Sequence, residues 1–144
     1  MDDLYQSLFK AQTSLFHLFQ KTWAYHWNVV GSDFQQLHTL FGEQYNTMFE
    51  EVDRLSEHMR YLRMKPFNSL KKVLEVSEIQ STDNQVAAKA MITDLVSDNK
   101  KMIDLFTDVV EKAEESKQYA TANLLQDLIE THGKFVWMLR SFLS

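Results

Sequence analysis

Two histidines and two carboxylates are the side chains of this sequence best suited to chemistry. The segment from His26 to His38 supplies two imidazoles, and Asp53 and Glu57 follow, spaced one helical turn apart. Imidazole nitrogens and carboxylate oxygens are typical ligands of iron and zinc. These four residues therefore predict a metal site.

The distance between His38 and Asp53 determines how such a site could be built. If both residues lie on one helix, they are about 22 Å apart along its axis, at about 1.5 Å per residue. All protein ligands of one ion approach it to within roughly 2–2.5 Å. The four residues can share an ion only if one chain supplies the histidines and another the carboxylates. The sequence therefore predicts a site between subunits.

Long amphipathic helices must position these residues. The sequence has only three glycines and one proline in 144 residues, which leaves few places to turn. Apolar residues at three- and four-residue steps predict helices over residues 3–30, 33–63, 83–115 and 118–143. Ser69–Val76 is expected to form a short helix in the long connection between helices two and three. This pattern predicts an all-α fold, an antiparallel four-helix bundle in a single domain over residues 1–144.

Local signals mark where these helices begin and end. Gly31 can adopt the left-handed conformation that ends a helix. Ser32–Gln35 and Thr82–Gln85 both have the pattern of a capping box, which predicts the starts of helices two and three.

Composition restricts the compartment and the partners. The net charge is −5 and the basic residues are scattered, so DNA binding is not expected. The absence of cysteine excludes disulfides and thiolate metal sites. The N-terminal residues lack the features of a signal peptide, and no apolar run approaches the roughly 18 residues of a membrane span. A soluble cytoplasmic protein is expected.

Other metal classes and purely structural roles are the competing interpretations. Taken singly, a histidine or an acidic pair on a helix is more often part of the core or of a solvated face, and His17, His58 and His132 are expected to be structural. None of the five histidines has a glutamate three residues before it, which argues against a di-iron site within one chain. The zinc-protease pattern His-Glu-x-x-His is also absent.

A set of short motifs distributed over nearly the whole chain matches one known family. They are His26-Trp27, Gly31, Phe34, Leu37-His38, Asp53-Arg54-Leu55-Ser56-Glu57, Pro66, Ile129-Glu130-Thr131-His132 and Trp137-Met138-Leu139-Arg140. In these motifs the chain resembles the Dps family, ferritin-like proteins named as DNA-binding proteins from starved cells.

The resemblance implies a hollow dodecamer of ferritin-like bundles with ferroxidase centres at two-fold interfaces. It implies that His26 and His38 of one subunit and Asp53 and Glu57 of its neighbour bind iron, and that Trp27 lies beside the metal. The implied activity is oxidation of Fe²⁺ by hydrogen peroxide, or more slowly by dioxygen, with storage of ferric mineral and protection against oxidative stress. Candidate acids for the inner wall and pores are Glu43, Glu50, Glu51, Glu111, Glu114 and Glu115.

Two features depart from the family pattern. Gly42 stands where family members usually carry an acidic ligand, and Glu43 is rotated by about 100° from that face, so water or a shifted Glu43 would have to take the place of that ligand. This leaves an alternative hypothesis, a shell that binds a single iron or another cation without catalysis. The lysine-rich N-terminal extension that some members use to hold DNA is absent from the sequence.

Overall fold

A computed structural model describes residues 2–144 and shows an all-α chain. Within these residues there are five α-helices and no strand: α1 Asp2–Asn28, α2 Phe34–Tyr61, α3 Leu70–Val76, α4 Ala88–Glu115 and α5 Tyr119–Arg140. A 3₁₀ turn, Ser141–Leu143, follows α5, so the last helix ends three residues earlier than predicted. In the described part of the chain, no helix is both long and apolar enough to cross a membrane.

The four long helices form the predicted bundle around one apolar core. α1 packs against both α2 and α4, and α4 packs against α5. Each helix contributes a stripe of buried residues at three- and four-residue steps, as expected for helices with one apolar face. Among the largest of the fully buried side chains are Leu8, Leu15, Phe41, Met48, Leu95 and Phe106.

The turn between α1 and α2 differs from its predicted form. Gly31 has a φ of +116°, in the region that favours glycine, and the break there is confirmed. However, α1 already ends at Asn28, and no capping box forms at Ser32–Gln35. Asp33 precedes α2 without a side-chain cap, and the amide of Phe34 donates instead to the Gly31 carbonyl at 3.1 Å. A backbone hydrogen bond thus forms this turn in place of the predicted capping box.

The second predicted capping box is also wrong. α4 begins at Ala88, five residues later than expected, and Ala87 precedes it in an extended conformation. The Gln85 side chain donates instead to the carbonyl of Asn28, at the end of α1, at 2.8 Å. This tertiary hydrogen bond forms in place of the predicted capping box, because Gln85 donates to an unpaired carbonyl at the end of α1.

The long connection between α2 and α4 runs along α1 and is fastened to it by polar side chains. Lys21, which is buried, donates to the Gln80 carbonyl at 2.7 Å and to the Asp98 carboxylate at 2.8 Å. The imidazole of His17 lies between the hydroxyls of Ser77 and Ser81 at 2.9 and 2.6 Å. The short helix is confirmed as α3, and the Ser69 hydroxyl caps it by accepting from the Lys72 amide at 3.2 Å.

A buried polar triad crosses the bundle core between α2, α4 and α5. His132 Nε2 lies 2.8 Å from Glu51 Oε1, and His132 Nδ1 lies 2.7 Å from Asn99 Oδ1. The Asn99 amide nitrogen donates to the Leu95 carbonyl, so its oxygen faces the ring as an acceptor. Both ring nitrogens thus lie within hydrogen-bond distance of oxygen atoms. This confirms His132 as structural and corrects the expectation for Glu51, which is buried and cannot lie on an inner wall.

Candidate metal centre

His26 and His38 meet because a short turn folds α2 back along α1. His26 lies in the last turn of α1 and His38 near the start of α2. Their imidazole rings stack with centroids 3.8 Å apart and planes 16° apart. The two histidines predicted as ligands from one chain are therefore in direct contact.

The two histidines hold each other through reciprocal hydrogen bonds to the backbone. His26 Nδ1 donates to the His38 carbonyl at 2.6 Å, and His38 Nδ1 donates to the His26 carbonyl at 2.8 Å. A carbonyl can only accept, so each Nδ1 carries a proton, and in the neutral ring the lone pair lies on Nε2. Metal-binding histidines commonly have their second nitrogen fixed in this way. Within residues 2–144 no protein group bonds to either Nε2.

Aromatic rings surround the histidine pair. Tyr45 contacts the edge of His26 at a centroid distance of 5.2 Å and stacks on Trp23 at 5.6 Å. Trp27, predicted to lie beside the metal, follows His26 directly, packs on Trp23 at 4.7 Å and is 56% exposed. The contact of Tyr45 with His26 was not predicted. Tyr45 lies two helical turns after His38 on α2, so it shares the face of α2 that carries His38.

Asp53 and Glu57 lie near the opposite end of α2, where they line an open groove of about 620 Å³ between α2 and α5. Both side chains are exposed. Arg54 and Asp127 cross the groove with a contact of 3.4 Å. His58 Nε2 lies 2.7 Å from the Thr121 hydroxyl, and burial, with a smaller effect of Arg54, lowers the pKa of His58.

The nitrogen ligands and the oxygen ligands are separated within one chain. α2 is continuous from Phe34 to Tyr61, so His38 and Asp53 lie about 22 Å apart along its axis. In the described residues, no group of three or more histidine, aspartate or glutamate side chains is placed to hold a metal ion. The chain thus presents two half-sites, the histidine half-site (His26 and His38) and the carboxylate half-site (Asp53 and Glu57).

His38 and Asp53, one residue of each half-site, lie on the same side of α2. At about 100° per residue, Tyr45, His38, Phe49 and Asp53 fall within roughly 80° of one another around the helix axis. Phe49, which lies between the half-sites, is 62% exposed and packs on Phe19 at 5.7 Å. Through Phe19, Phe49 is connected to Trp23 and Trp27, which are also exposed. A continuous group of exposed aromatic rings is typical of a surface that another protein covers.

Comparison with known proteins identifies the family. Residues 5–144 match the model of the ferritin-like domain. The chain is 32% identical over 127 residues to DNA protection during starvation protein 2 of Bacillus anthracis, covering 88% of this chain and 87% of the relative. The Dps structure of Thermosynechococcus elongatus superposes with a TM-score of 0.96 at 28% identity, covering 99% and 91% of the two chains. The chain belongs to the Dps family.

A second structural relative, the Dps protein of Vibrio cholerae O1, indicates the metal chemistry of the superfamily. It matches with a TM-score of 0.94 at 26% identity, over 99% of this chain and 90% of that one. The Vibrio protein is described as a member of a broad superfamily of ferritin-like diiron-carboxylate proteins. At the level of the Dps family, iron storage and ferroxidase chemistry are thus supported.

Within this Dps-family chain, Glu43 does not lie with the histidine half-site. Its side chain lines a separate groove with Leu40, Trp137 and Met138. The hypothesis that a shifted Glu43 replaces the usual acidic ligand therefore lacks support from its position. Four other acids proposed for the inner wall or pores are exposed: Glu50, Glu111, Glu114 and Glu115.

Proposed function

We propose that two copies of this chain, related by a two-fold axis, combine their half-sites into a centre that binds and oxidises Fe²⁺. His26 and His38 of one subunit face Asp53 and Glu57 of the partner subunit. The two-fold axis generates a second site, in which the two subunits exchange these roles. The observation that carries this proposal is the separation of about 22 Å between His38 and Asp53 on one face of α2.

The position of the axis follows from the spacing on α2. A two-fold axis that places residue 38 opposite residue 53 of the partner subunit crosses α2 at the midpoint, next to Tyr45. The exposed rings of Trp23 and Phe49 lie around this midpoint and would be covered by the second copy. Covering these rings removes apolar surface from water, which stabilises the pair.

The ligand set suits Fe²⁺ as a substrate. The two carboxylates balance the charge of a divalent ion, and the two Nε2 lone pairs supply borderline nitrogen ligands. The chemistry is 2 Fe²⁺ + H₂O₂ + 2 H⁺ → 2 Fe³⁺ + 2 H₂O, with dioxygen as a slower oxidant. Because each peroxide takes two electrons, paired oxidation avoids release of hydroxyl radical.

We further propose that the pairs assemble into a dodecameric shell in the cytoplasm that stores the ferric product as mineral. Fe³⁺ hydrolyses near exposed carboxylates, and Glu50, Glu111, Glu114 and Glu115 are candidates for these positions. Storage of iron and consumption of peroxide would together protect the cell against oxidative stress.

Stopped-flow measurement of ferric absorbance after mixing with Fe²⁺ and peroxide tests the activity. His38→Ala is expected to lower the rate of oxidation at least about tenfold, because it removes one ligand and also the ring that stacks on His26, the second nitrogen ligand. Thr39→Ala, an exposed neighbour on α2, is the matched control and should oxidise iron at the wild-type rate. Equal rates in wild type and His38→Ala would contradict the site.

The alternative of a non-catalytic cation-binding shell is distinguished by the same variants. Anaerobic titration with Fe²⁺ would then show binding that depends on His38, while oxidation of iron by wild type would be no faster than in a protein-free control.

A further inference from the structure

Two oxidisable aromatic side chains, Trp23 on α1 and Tyr45 on α2, lie next to the histidine half-site. The ring of Tyr45 contacts the edge of the His26 imidazole at a centroid distance of 5.2 Å. Trp23 stacks on Tyr45 with centroids 5.6 Å apart and planes 24° apart, and it contacts Trp27 at 4.7 Å. A continuous path of ring contacts therefore leads from His26 to exposed tryptophan rings.

Tyr45 is the aromatic neighbour of these histidines that can give up an electron together with a proton. Phe34 stacks on His38 at 5.2 Å, but a phenyl ring has no hydroxyl and is hard to oxidise. A phenol can donate its O–H proton. The hydroxyls of Tyr5 and Tyr25 donate to protein oxygen atoms, whereas Tyr45 is half-buried and its hydroxyl makes no such bond within the described part of the chain. The Tyr45 proton is therefore free to pass to water or to an oxygen species at the centre.

The ligand set of the proposed centre creates a need for a second electron donor. Gly42 adds no carboxylate and Glu43 lines a separate groove, so two imidazoles and two carboxylates remain, which suit one divalent ion. A single Fe²⁺ supplies one electron, but reduction of hydrogen peroxide to water takes two. Transfer of one electron alone would break the O–O bond and release a hydroxyl radical. A donor that delivers the second electron at the same site prevents this release.

We propose that Tyr45 supplies this second electron when one Fe²⁺ at the centre reacts with hydrogen peroxide. The reaction is Fe²⁺ + H₂O₂ + H⁺ + TyrOH → Fe³⁺ + 2 H₂O + TyrO•, where TyrOH is Tyr45. The O–O bond breaks, the phenol loses one electron and its proton, and that proton enters one of the two waters. This inference rests on the proposed function, because it requires that the half-sites combine to bind Fe²⁺.

A second Fe²⁺ then restores the phenol. In the reaction Fe²⁺ + TyrO• + H⁺ → Fe³⁺ + TyrOH, the iron gives one electron and the solvent gives the proton. The two steps add up to the oxidation of two Fe²⁺ by one peroxide that is proposed above. Trp23 is a positioning residue in this scheme, since its stack holds the Tyr45 ring against His26.

Rapid-freeze electron paramagnetic resonance spectroscopy of the assembled protein tests this step. Protein that is loaded anaerobically with one Fe²⁺ per site and mixed with peroxide should show a tyrosyl radical. Tyr45→Phe should lose this signal, and it should fold as wild type does because it keeps the ring that packs on Trp23 and His26. Tyr119→Phe, at an exposed position on α5, is the matched control and should retain the signal. Absence of a tyrosyl radical in wild type, or its persistence in Tyr45→Phe, would overturn the inference.

Spin trapping measures the consequence for the peroxide. At the same iron loading, Tyr45→Phe should release several times more hydroxyl radical than wild type. Its affinity for Fe²⁺ in anaerobic calorimetry should be unchanged, because the Tyr45 hydroxyl is not one of the proposed ligands. Equal release of hydroxyl radical from the two proteins would overturn the inference, since the second electron would then come from another donor.

A measurement without iron separates this inference from the proposed function. Pulse radiolysis can oxidise tryptophan selectively, and in wild type the tryptophanyl radical should then decay as a tyrosyl radical forms. Trp23→Phe and Tyr45→Phe should both slow this transfer, whereas Tyr119→Phe should not. Equal transfer rates in all four proteins would refute the role of Tyr45 as an electron donor in contact with Trp23. Fe²⁺ binding unaffected by His38→Ala would instead contradict the proposed function.

Discussion

Glu51 on α2 and His132 on α5 form a buried hydrogen-bonded pair across the bundle, with Oε1 and Nε2 2.8 Å apart. Both side chains are almost completely removed from solvent. A buried polar group is costly unless it has a hydrogen-bond partner, so each side chain depends on the other. The pair links α2, which carries His38, Asp53 and Glu57, to α5.

His132→Ala is therefore expected to lower the free energy of unfolding by about 1–3 kcal/mol, because it leaves the buried Glu51 side chain without its hydrogen-bond partner. Denaturant titration followed by circular dichroism measures this change. Gln126→Ala, at an exposed position of the same helix, should have little effect. The double variant with Glu51→Ala should lose less than the sum of the two single losses, and strictly additive losses would contradict the pairing.

Lys21 makes a comparable contribution to the long connection. Its buried ammonium bonds to the Gln80 carbonyl and lies 2.8 Å from both Asp94 and Asp98. Lys21→Met should lower the free energy of unfolding by about 3–5 kcal/mol, because the largely buried Asp98 loses its counter-charge.

The same variant should also open the segment between α3 and α4 to protease. Limited proteolysis with sites mapped by mass spectrometry checks this, with Lys89→Met, an exposed lysine on α4, as the control. Equal cleavage of this segment in Lys21→Met and in the control would contradict the fastening role of Lys21.

His17 should make stability depend on pH below neutrality. Burial, with a smaller effect of Lys21, lowers the pKa of His17 in the folded chain below its usual 6.5. As the pH falls below 6.5, the unfolded chain takes up a proton that the folded chain does not, so the free energy of unfolding decreases until the pH passes the folded pKa.

His17→Gln can still bond to Ser77 and Ser81 but cannot be protonated. The stability difference between wild type and His17→Gln should therefore shift in favour of the variant between pH 7 and pH 5, as measured by thermal denaturation. A difference that does not change with pH would show that His17 does not titrate in this way.

The aromatic surface around Phe49 should hold the two copies together. Phe49→Glu places a charge beside the inferred two-fold axis, and burial of an unpaired charge is strongly unfavourable. Analytical ultracentrifugation should show smaller species than wild type. Thr107→Glu adds the same charge at an exposed position on α4 and should assemble normally. Normal assembly of Phe49→Glu would show that the interface between the two copies does not include Phe49.

The sequence predicted the elements of the fold better than their ends. The apolar periodicity of α1, α2, α4 and α5 is a strong signal, and all four helices are present. The capping boxes at Ser32–Gln35 and Thr82–Gln85 failed, since a backbone turn and the bond from Gln85 to Asn28 took their place. A local sequence motif does not indicate which contacts its residues make with distant parts of the chain.

The burial of Glu51 could have been inferred from the sequence. It lies three residues after Met48 and four before Leu55, both fully buried, so it shares their face of α2. His132 likewise follows the spacing of Leu128 and Phe135 on α5. The stacking of His26 on His38, in contrast, depends on the distance between two helices, which periodicity does not specify.

Mixing of complementary variants tests most directly whether the centre is shared between two chains. His38→Ala and Asp53→Asn are each expected to be inactive alone, but a mixed pair keeps one intact site. Random reassembly of equal amounts should restore about a quarter of the wild-type ferroxidase rate, because about half of the pairs are mixed and each has one of its two sites intact. Absence of any recovery in verified mixed oligomers, or substantial activity of either variant alone, would contradict a centre built from the histidines of one subunit and the carboxylates of its partner.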